Sequence, residues 1–435
     1  MMTKTRNALL ATLALAALSP RPSTAADATW DACKAQPTRA CALALAARNV
    51  AAENDAYEQV SAFADLGAAR LKAGLRLDAD QDFAQAEQAA DQALGDVMRG
   101  GALDGLAITL ARAGRLDDAT RVEQRIGAGY PDQGWAAIAI ATGKAGQSKP
   151  AEAIVAQAFE RARALSNNDY LTFGALRAVA EAQRALGLTD PAIEAERLAL
   201  RAALTGPDPK RHDYDLGRLA AEQATAGDIE AALRTAGLIE EPWLRASAMI
   251  DAERATAAAG KFDEAARVAN AIDPRARLRA LDLLAWEQSK AGTASQAAET
   301  LASARAIVTA TTDRLERAHG LAGVAALEAH LGDATAADAD FAQARAPLAG
   351  LSDGGRASLA RAIGLALAEA GRPQEALALL PEIGVGALRS GVLIEISLAQ
   401  TRAGDDAGAL ATLEQVTDRP LQTRLLEDLA GKMAQ

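Results

Sequence analysis

The chain has 435 residues, half of them hydrophobic, yet only 3% are aromatic and 114 are alanine. Alanine is the strongest helix former, whereas strands draw on β-branched and aromatic side chains, so an all-β or doubly wound α/β fold is excluded. A net charge of −11 argues against a nucleic-acid binder, and two cysteines with three histidines leave no material for an iron–sulfur cluster or a zinc finger.

At the N-terminus, Lys4 and Arg6 precede an apolar run from Ala8 to Leu18, and Ser23-Thr24-Ala25 follows as a row of small residues. This order predicts a secretory signal peptide over residues 1–25, cleaved near Ala25 and too short to remain as a membrane span. Its removal takes away Lys4, Arg6 and Arg21 and moves the net charge from −11 to −14. No later apolar run reaches membrane length, so a periplasmic or secreted, soluble chain without a transmembrane segment is expected.

Cys33 and Cys41 come next, eight residues apart. Unbroken helix would hold their α-carbons about 12 Å apart, beyond the roughly 7 Å that a disulfide spans. Pro37 supplies a break and Thr38 a new helix start, so a staple is expected in an oxidising compartment. It would lie in an N-terminal capping segment over 26–58.

From residue 59 to residue 434 the sequence repeats. A glycine recurs at Gly74, Gly114, Gly146, Gly187, Gly227, Gly260, Gly292, Gly332, Gly371 and Gly404, at intervals of 32 to 41 residues. An alanine stands five places after every one, from Ala79 to Ala409. Eleven and eight places before it the residues are mostly large and apolar, as in Leu103 and Leu106 or Leu281 and Leu284. Seven places before it the residue is small, with Glu253 the exception. Spacings of three and four mark one apolar helix face, the small residue admits a second helix, and the glycine ends the first. Units followed by a long interval carry alanine twelve places after the glycine, and units followed by a short one carry isoleucine. The seven-residue difference is close to two helical turns, so length changes while the inward face is kept.

The large apolar residue, the apolar–small pair, the turn glycine and the following alanine resemble the tetratricopeptide repeat family, with Trp135, Phe83 and Phe341 at its aromatic positions. The family's aromatic four places before the glycine is absent here and most often glutamine, in four of the ten units (Gln183, Gln223, Gln288, Gln400), and its closing proline is largely absent. The resemblance implies an all-α fold, a right-handed superhelical solenoid of about ten helix–turn–helix repeats. A hinge between two halves is expected near 205–214, where Pro207 and Pro209 stand.

Arginine recurs fifteen places before the glycine at Arg99, Arg245, Arg277, Arg317, Arg356 and Arg389, with Arg424 read as its equivalent in the last helix. Helical phase aims these side chains at the carbonyl end of the preceding helix, where positive charge is favoured. The family resemblance implies a concave binding surface lined by first-helix positions thirteen, ten, six and three before the glycine. In the middle units these are Arg177, Arg184, Tyr214, Arg254, Arg279, Asp282, Trp286 and Arg361, with Glu181 and His319 among them. Arginine and tryptophan carry interface energy, so Arg254, Arg279 and Trp286 are the expected centre for a peptide or another carboxylate-bearing ligand. Catalytic patterns are weak. His319 and His330 would lie about 16 Å apart along a helix, too far to share a metal, and Gly384-Val385-Gly386 follows no strand. The expected role is a scaffold for a protein or peptide of the cell envelope, with no cofactor, no metal and no nucleic acid. An enzyme with a polar pocket in the groove, or a structural adaptor of the envelope or cell wall, are the alternatives.

Overall fold

The computed structural model describes residues 28–93, 95–127, 133–165, 169–206 and 208–433. The expected signal peptide and Pro207 lie outside the described residues. Two helices, α1 (Trp30–Ala35) and α2 (Arg39–Ala51), come first among the described residues. Hairpins follow: α3 (Ala56–Lys72) with α4 (Arg76–Gln92), α5 (Asp96–Arg112) with α6 (Leu116–Glu123), α7 (Gln133–Lys144) with α8 (Ser148–Ala164), α9 (Asp169–Ala185) with α10 (Thr189–Thr205), and α11 (Pro209–Thr225) with α12 (Ile229–Ala236). The series continues with α13 (Pro242–Ala258) and α14 (Phe262–Ala271), α15 (Pro274–Lys290) and α16 (Ala294–Ala310), and α17 (Arg314–His330) and α18 (Ala334–Arg345). Last come α19 (Asp353–Glu369) with the broken α20 (Pro373–Ala378) and α21 (Leu380–Ile383), α22 (Ala387–Arg402) with α23 (Asp406–Leu413), and α24 (Arg419–Lys432). The chain is thus an all-α solenoid of helical repeats, with no strand among the described residues.

Each of the ten recurrent glycines has φ between 72° and 89°, the left-handed region where a Cβ would clash. In hairpin α17/α18, the Gly332 N–H donates to Ala329 O at 3.1 Å and the Asp333 N–H to Glu328 O at 2.9 Å, which satisfies carbonyls that the helix end would leave bare. The alanine five places later is 0% exposed in all ten units, so no larger side chain fits where the two helices cross. This close crossing explains the alanine at that position of every unit. The helices of the long units α4, α8, α10 and α16 have 17 residues each, whereas α6, α12 and α23 have 8. In the short units Ile126, Ile239 and Ile272 turn into the core just past the helix end and Ile383 does so as the last residue of α21, all buried.

In three units the glutamine that stands in place of an aromatic makes a buried polar pair, while Gln183 faces Ala195 and its Oε1 is without a partner among the described residues. Gln223, Gln288 and Gln400 each accept through Oε1 from the hydroxyl of Thr235, Thr300 and Thr412, at 2.8, 2.8 and 2.7 Å. Arg70 and Asp82 occupy the same two positions in the first hairpin as an ion pair, and Leu367 and Leu379 do so in the ninth. The two helices are therefore matched residue by residue at a fixed register. We expect Gln400→Leu to cost about 1–3 kcal/mol by stranding the Thr412 hydroxyl, and Gln400→Leu with Thr412→Val to cost less than the single change. Urea unfolding of the three proteins measures this.

The ends of the solenoid meet. Helix α2 packs along α24 as the second helix of an eleventh unit and then abuts α3, as every second helix abuts the next first helix. One core joins Leu43, Leu45 and Val50 to Leu425, Leu426 and Leu429. Arg39 donates to Ala430 O at 2.9 Å and to Met433 O at 2.8 Å, and Asn49 donates to Gln422 Oε1 at 2.8 Å. Helix α1 is tied to α2 by a Cys33–Cys41 disulfide with α-carbons 5.5 Å apart, and its Lys34 reaches Glu414 beyond α23 at 2.7 Å. First helices touch their neighbours at all eleven junctions, α24 to α3 included, while second helices of adjoining units make no comparable contact. The first helices therefore form the inner circle of a closed ring.

Four members of the arginine row behave as helical phase implies, whereas Arg99 meets Asp96 of its own helix at 2.5 Å. Arg245, Arg277, Arg356 and Arg389 donate to Ile239 O, Ile272 O, Leu351 O and Leu380 O at 3.1 to 3.3 Å, at the end of the preceding helix or just beyond. In the last helix that place belongs to Gln422, which donates to Leu413 O and Val416 O at 2.9 and 3.0 Å, and not to Arg424, which is exposed. Counted from Gln422, Leu426, Leu429 and Ala430 fall at the large, apolar and small positions of the repeat.

Candidate functional site

Helix α15 starts at Pro274, whose missing N–H costs nothing in a first turn. It buries Ala280, Leu281, Leu284 and Ala285, which leaves Arg279, Asp282 and Trp286 on the adjoining face. Spacings of three and four bring those three into one stripe along the inner wall. Asp282 lies against α17 at Gly323, where an added Cβ would stand 2.5 Å from its Oδ2. Glycine there permits the carboxyl to lie against the neighbouring helix. The Asp282 Oδ1 is buried and has no hydrogen-bond partner among the described residues. Burial, and then the field of Glu369, push its pKa up to about 8 against the pull of Arg279. At neutral pH it is therefore largely a neutral acid with a proton to donate.

Trp286 stacks on His330 of α17, with ring centroids 3.8 Å apart and planes inclined by 31°. Burial, followed by the charges of Lys290 and Arg402, lowers the His330 pKa and keeps the ring neutral. Glu369 at the end of α19 is raised by burial and by Glu395, against Arg279 and Arg402. Side chains from α15, α17, α19 and α22 thus share one electrostatic environment on the inner wall. Of the residues expected from sequence, Arg279, Asp282 and Trp286 are gathered here. His330, Glu369 and Arg402, together with Lys290, were missed. All four stand two places before the turn glycine in consecutive units, and that run of charged and imidazole groups was a readable signal.

The other expected residues lie elsewhere. Arg177 is buried and ion-paired with Glu222 of α11, and burial with the nearby Arg218 lowers its pKa to about 10. Arg184 pairs with Glu196 of α10 and stands 3.5 Å from Asp228 Oδ2, which ties the fourth hairpin to the fifth. Tyr214 is 61% exposed near the start of α11. Arg254 meets Asp251 of its own helix at 2.7 Å, on the exposed side of α13. Arg361 is half-buried on α19. At the expected hinge, a ring nitrogen of His212 lies 2.7 Å from Gly206 O. No group of three His, Cys, Asp or Glu among the described residues is placed to hold a metal. What the wall offers is a neutral acid, two guanidinium groups and an aromatic pair, a set suited to hydrogen bonding and stacking.

No protein family and no curated protein matches the chain. Among solved structures it is similar to Ton1535 from Thermococcus onnurineus NA1, at 15% identity and a TM-score of 0.30, over 83% of this chain and 96% of that one. It is also similar to a circular tandem repeat protein with novel repeat topology and enhanced subunit contact surfaces, at 14% identity and a TM-score of 0.20, over 90% of this chain and 86% of that one.

Proposed function

We propose that this chain is an exported, TPR-like scaffold that binds a protein or peptide of the cell envelope against the inner wall of its ring. The observation that carries the reading is the stripe on α15. There a desolvated, protonated Asp282 and the Arg279 guanidinium flank the Trp286–His330 stack. An acid with a proton to donate and a guanidinium together match the carbonyl and carboxylate groups of a peptide, and the stacked rings supply an apolar anchor. Export is supported by the Cys33–Cys41 bridge, which suits an oxidising compartment, and by the basic, apolar and small order of the first 25 residues. No helix among the described residues is long and apolar enough to cross a membrane.

Crosslinking in the cell, followed by mass spectrometry of the captured species, tests the proposal. The wild-type chain is expected to capture one envelope protein, and the combined change Arg254→Ala, Arg279→Ala and Trp286→Ala to lose it. Capture unaffected by the triple change would place the binding surface elsewhere, and no capture at all would remove the scaffold reading.

A further inference from the structure

On the outer side of the ring, α16, α17 and the end of α18 enclose a crevice of about 400 Å³. Its floor is apolar, formed by Val308, Leu321 and Pro347, and three arginines stand over it: Arg305, Arg314 and Arg317. Arg305 is committed, since it pairs with the buried carboxylates of Glu328 and Asp340, the latter at 2.8 Å. Arg314 and Arg317 are exposed, and neither meets a carboxylate or a carbonyl among the described residues.

Arg317 differs from its counterparts in the other units. It belongs to the arginine row, four of whose members cap the preceding helix. At the end of α16 two threonine hydroxyls bond back to their own helix, Thr309 to Arg305 O at 2.8 Å and Thr311 to Ile307 O at 2.9 Å. Arg317 makes no capping bond of the kind its counterparts make among the described residues, and its side chain lines the crevice. Asp340, the one carboxylate of the lining, already accepts from Arg305 and from Gln343, at 2.8 and 3.3 Å.

We propose that this crevice is a binding site for a small oxyanion carrying a short apolar tail. Arg314 and Arg317 hold the oxyanion by charge-assisted hydrogen bonds, and the tail lies on Val308, Leu321 and Pro347. The volume falls within the range of small-molecule sites, which pair an apolar lining with a few placed polar groups. The site is separate from the inner-wall stripe and does not depend on it.

Isothermal titration of the mature chain with hexyl phosphate, heptanoate and inorganic phosphate tests the inference. Saturable binding of hexyl phosphate or heptanoate is expected, with Arg314→Gln combined with Arg317→Gln weakening it by about tenfold or more. Ala346→Phe, at an exposed position of the crevice edge, fills the tail space while keeping both arginines, and is expected to weaken binding as well. Unfolding midpoints of these variants should match wild type, because all three positions are exposed. No saturable binding of either tailed probe, or equal affinity in the arginine double variant, overturns the site. Inorganic phosphate binding as tightly as hexyl phosphate overturns the apolar half of the assignment.

Discussion

Leu45→Asp in α2 is expected to open the ring without unfolding the solenoid. Leu45 is 0% exposed in the core shared by α2 and α24, and a carboxylate there has no partner within reach of water. An unpaired buried charge costs several kcal/mol, and about 3 kcal/mol already raises the population of the open form more than a hundredfold. The remaining units keep their neighbours, since each hairpin of a solenoid is stabilised chiefly by the ones beside it. Small-angle scattering should therefore report a larger radius of gyration, while helical circular dichroism falls only by the share of α1, α2 and α24. Reducing the Cys33–Cys41 bridge acts in the same direction, because a disulfide of this kind contributes about 2–4 kcal/mol and here it ties α1, docked on α23, to the closing helix. An unchanged scattering profile in Leu45→Asp would mean that the α2–α24 contact does not hold the ring.

The seam also marks what the sequence could not convey. Glycine and alanine at fixed phase are demanded inside every unit, by a left-handed turn and a close helix crossing, so ten hairpins were legible from local spacing. The eleventh unit joins Asn49 to Gln422 and Lys34 to Glu414, residues 373 and 380 places apart. No spacing rule reaches across such a distance. The mark of that unit was fainter: Leu426, Leu429 and Ala430 keep the intervals of the repeat, and Gln422 does the capping that arginine does elsewhere. The inner wall was half legible for a similar reason. Arg279, Asp282 and Trp286 share one helix, so phase alone groups them, whereas His330, Glu369 and Arg402 join them only through the curvature that brings four units together. Which guanidinium groups are already committed, as Arg177 is to Glu222, depends on partners one hairpin away.

Stability should fall as pH rises from mildly acidic to mildly basic, opposite to the behaviour of a protein held by surface ion pairs. Glu253 is the reason with the clearest geometry. It stands where other units carry a small residue, it is 0% exposed, and neither carboxylate oxygen has a hydrogen-bond partner among the described residues. Burial pushes its pKa up to about 8, against the pull of Arg254 and with Glu287 adding to the rise. Glu427 rises to about 9 through burial and the nearby Asp65, and Asp282 to about 8. In the unfolded chain these groups ionise at ordinary values near 3.8 for Asp and 4.5 for Glu. Between those values and the raised ones the native state holds protons that the unfolded state has released, so each step up in pH favours unfolding. The contribution is fully present below the unfolded pKa and is lost as pH climbs through 8 to 9. Asp118 and Glu375 act the other way: burial raises them, but their arginine partners together outweigh it and lower them, and their contribution disappears only below the ordinary carboxylate range. Urea midpoints should accordingly be higher at about pH 5.5 than at about pH 8.5. Glu253→Gln keeps the shape of the protonated acid and removes its titration, so it should flatten the pH dependence by an amount on the order of a few kcal/mol. A midpoint that rises with pH over this interval, or a Glu253→Gln profile parallel to wild type, would show that Glu253 is ionised in the folded chain and has found a partner there.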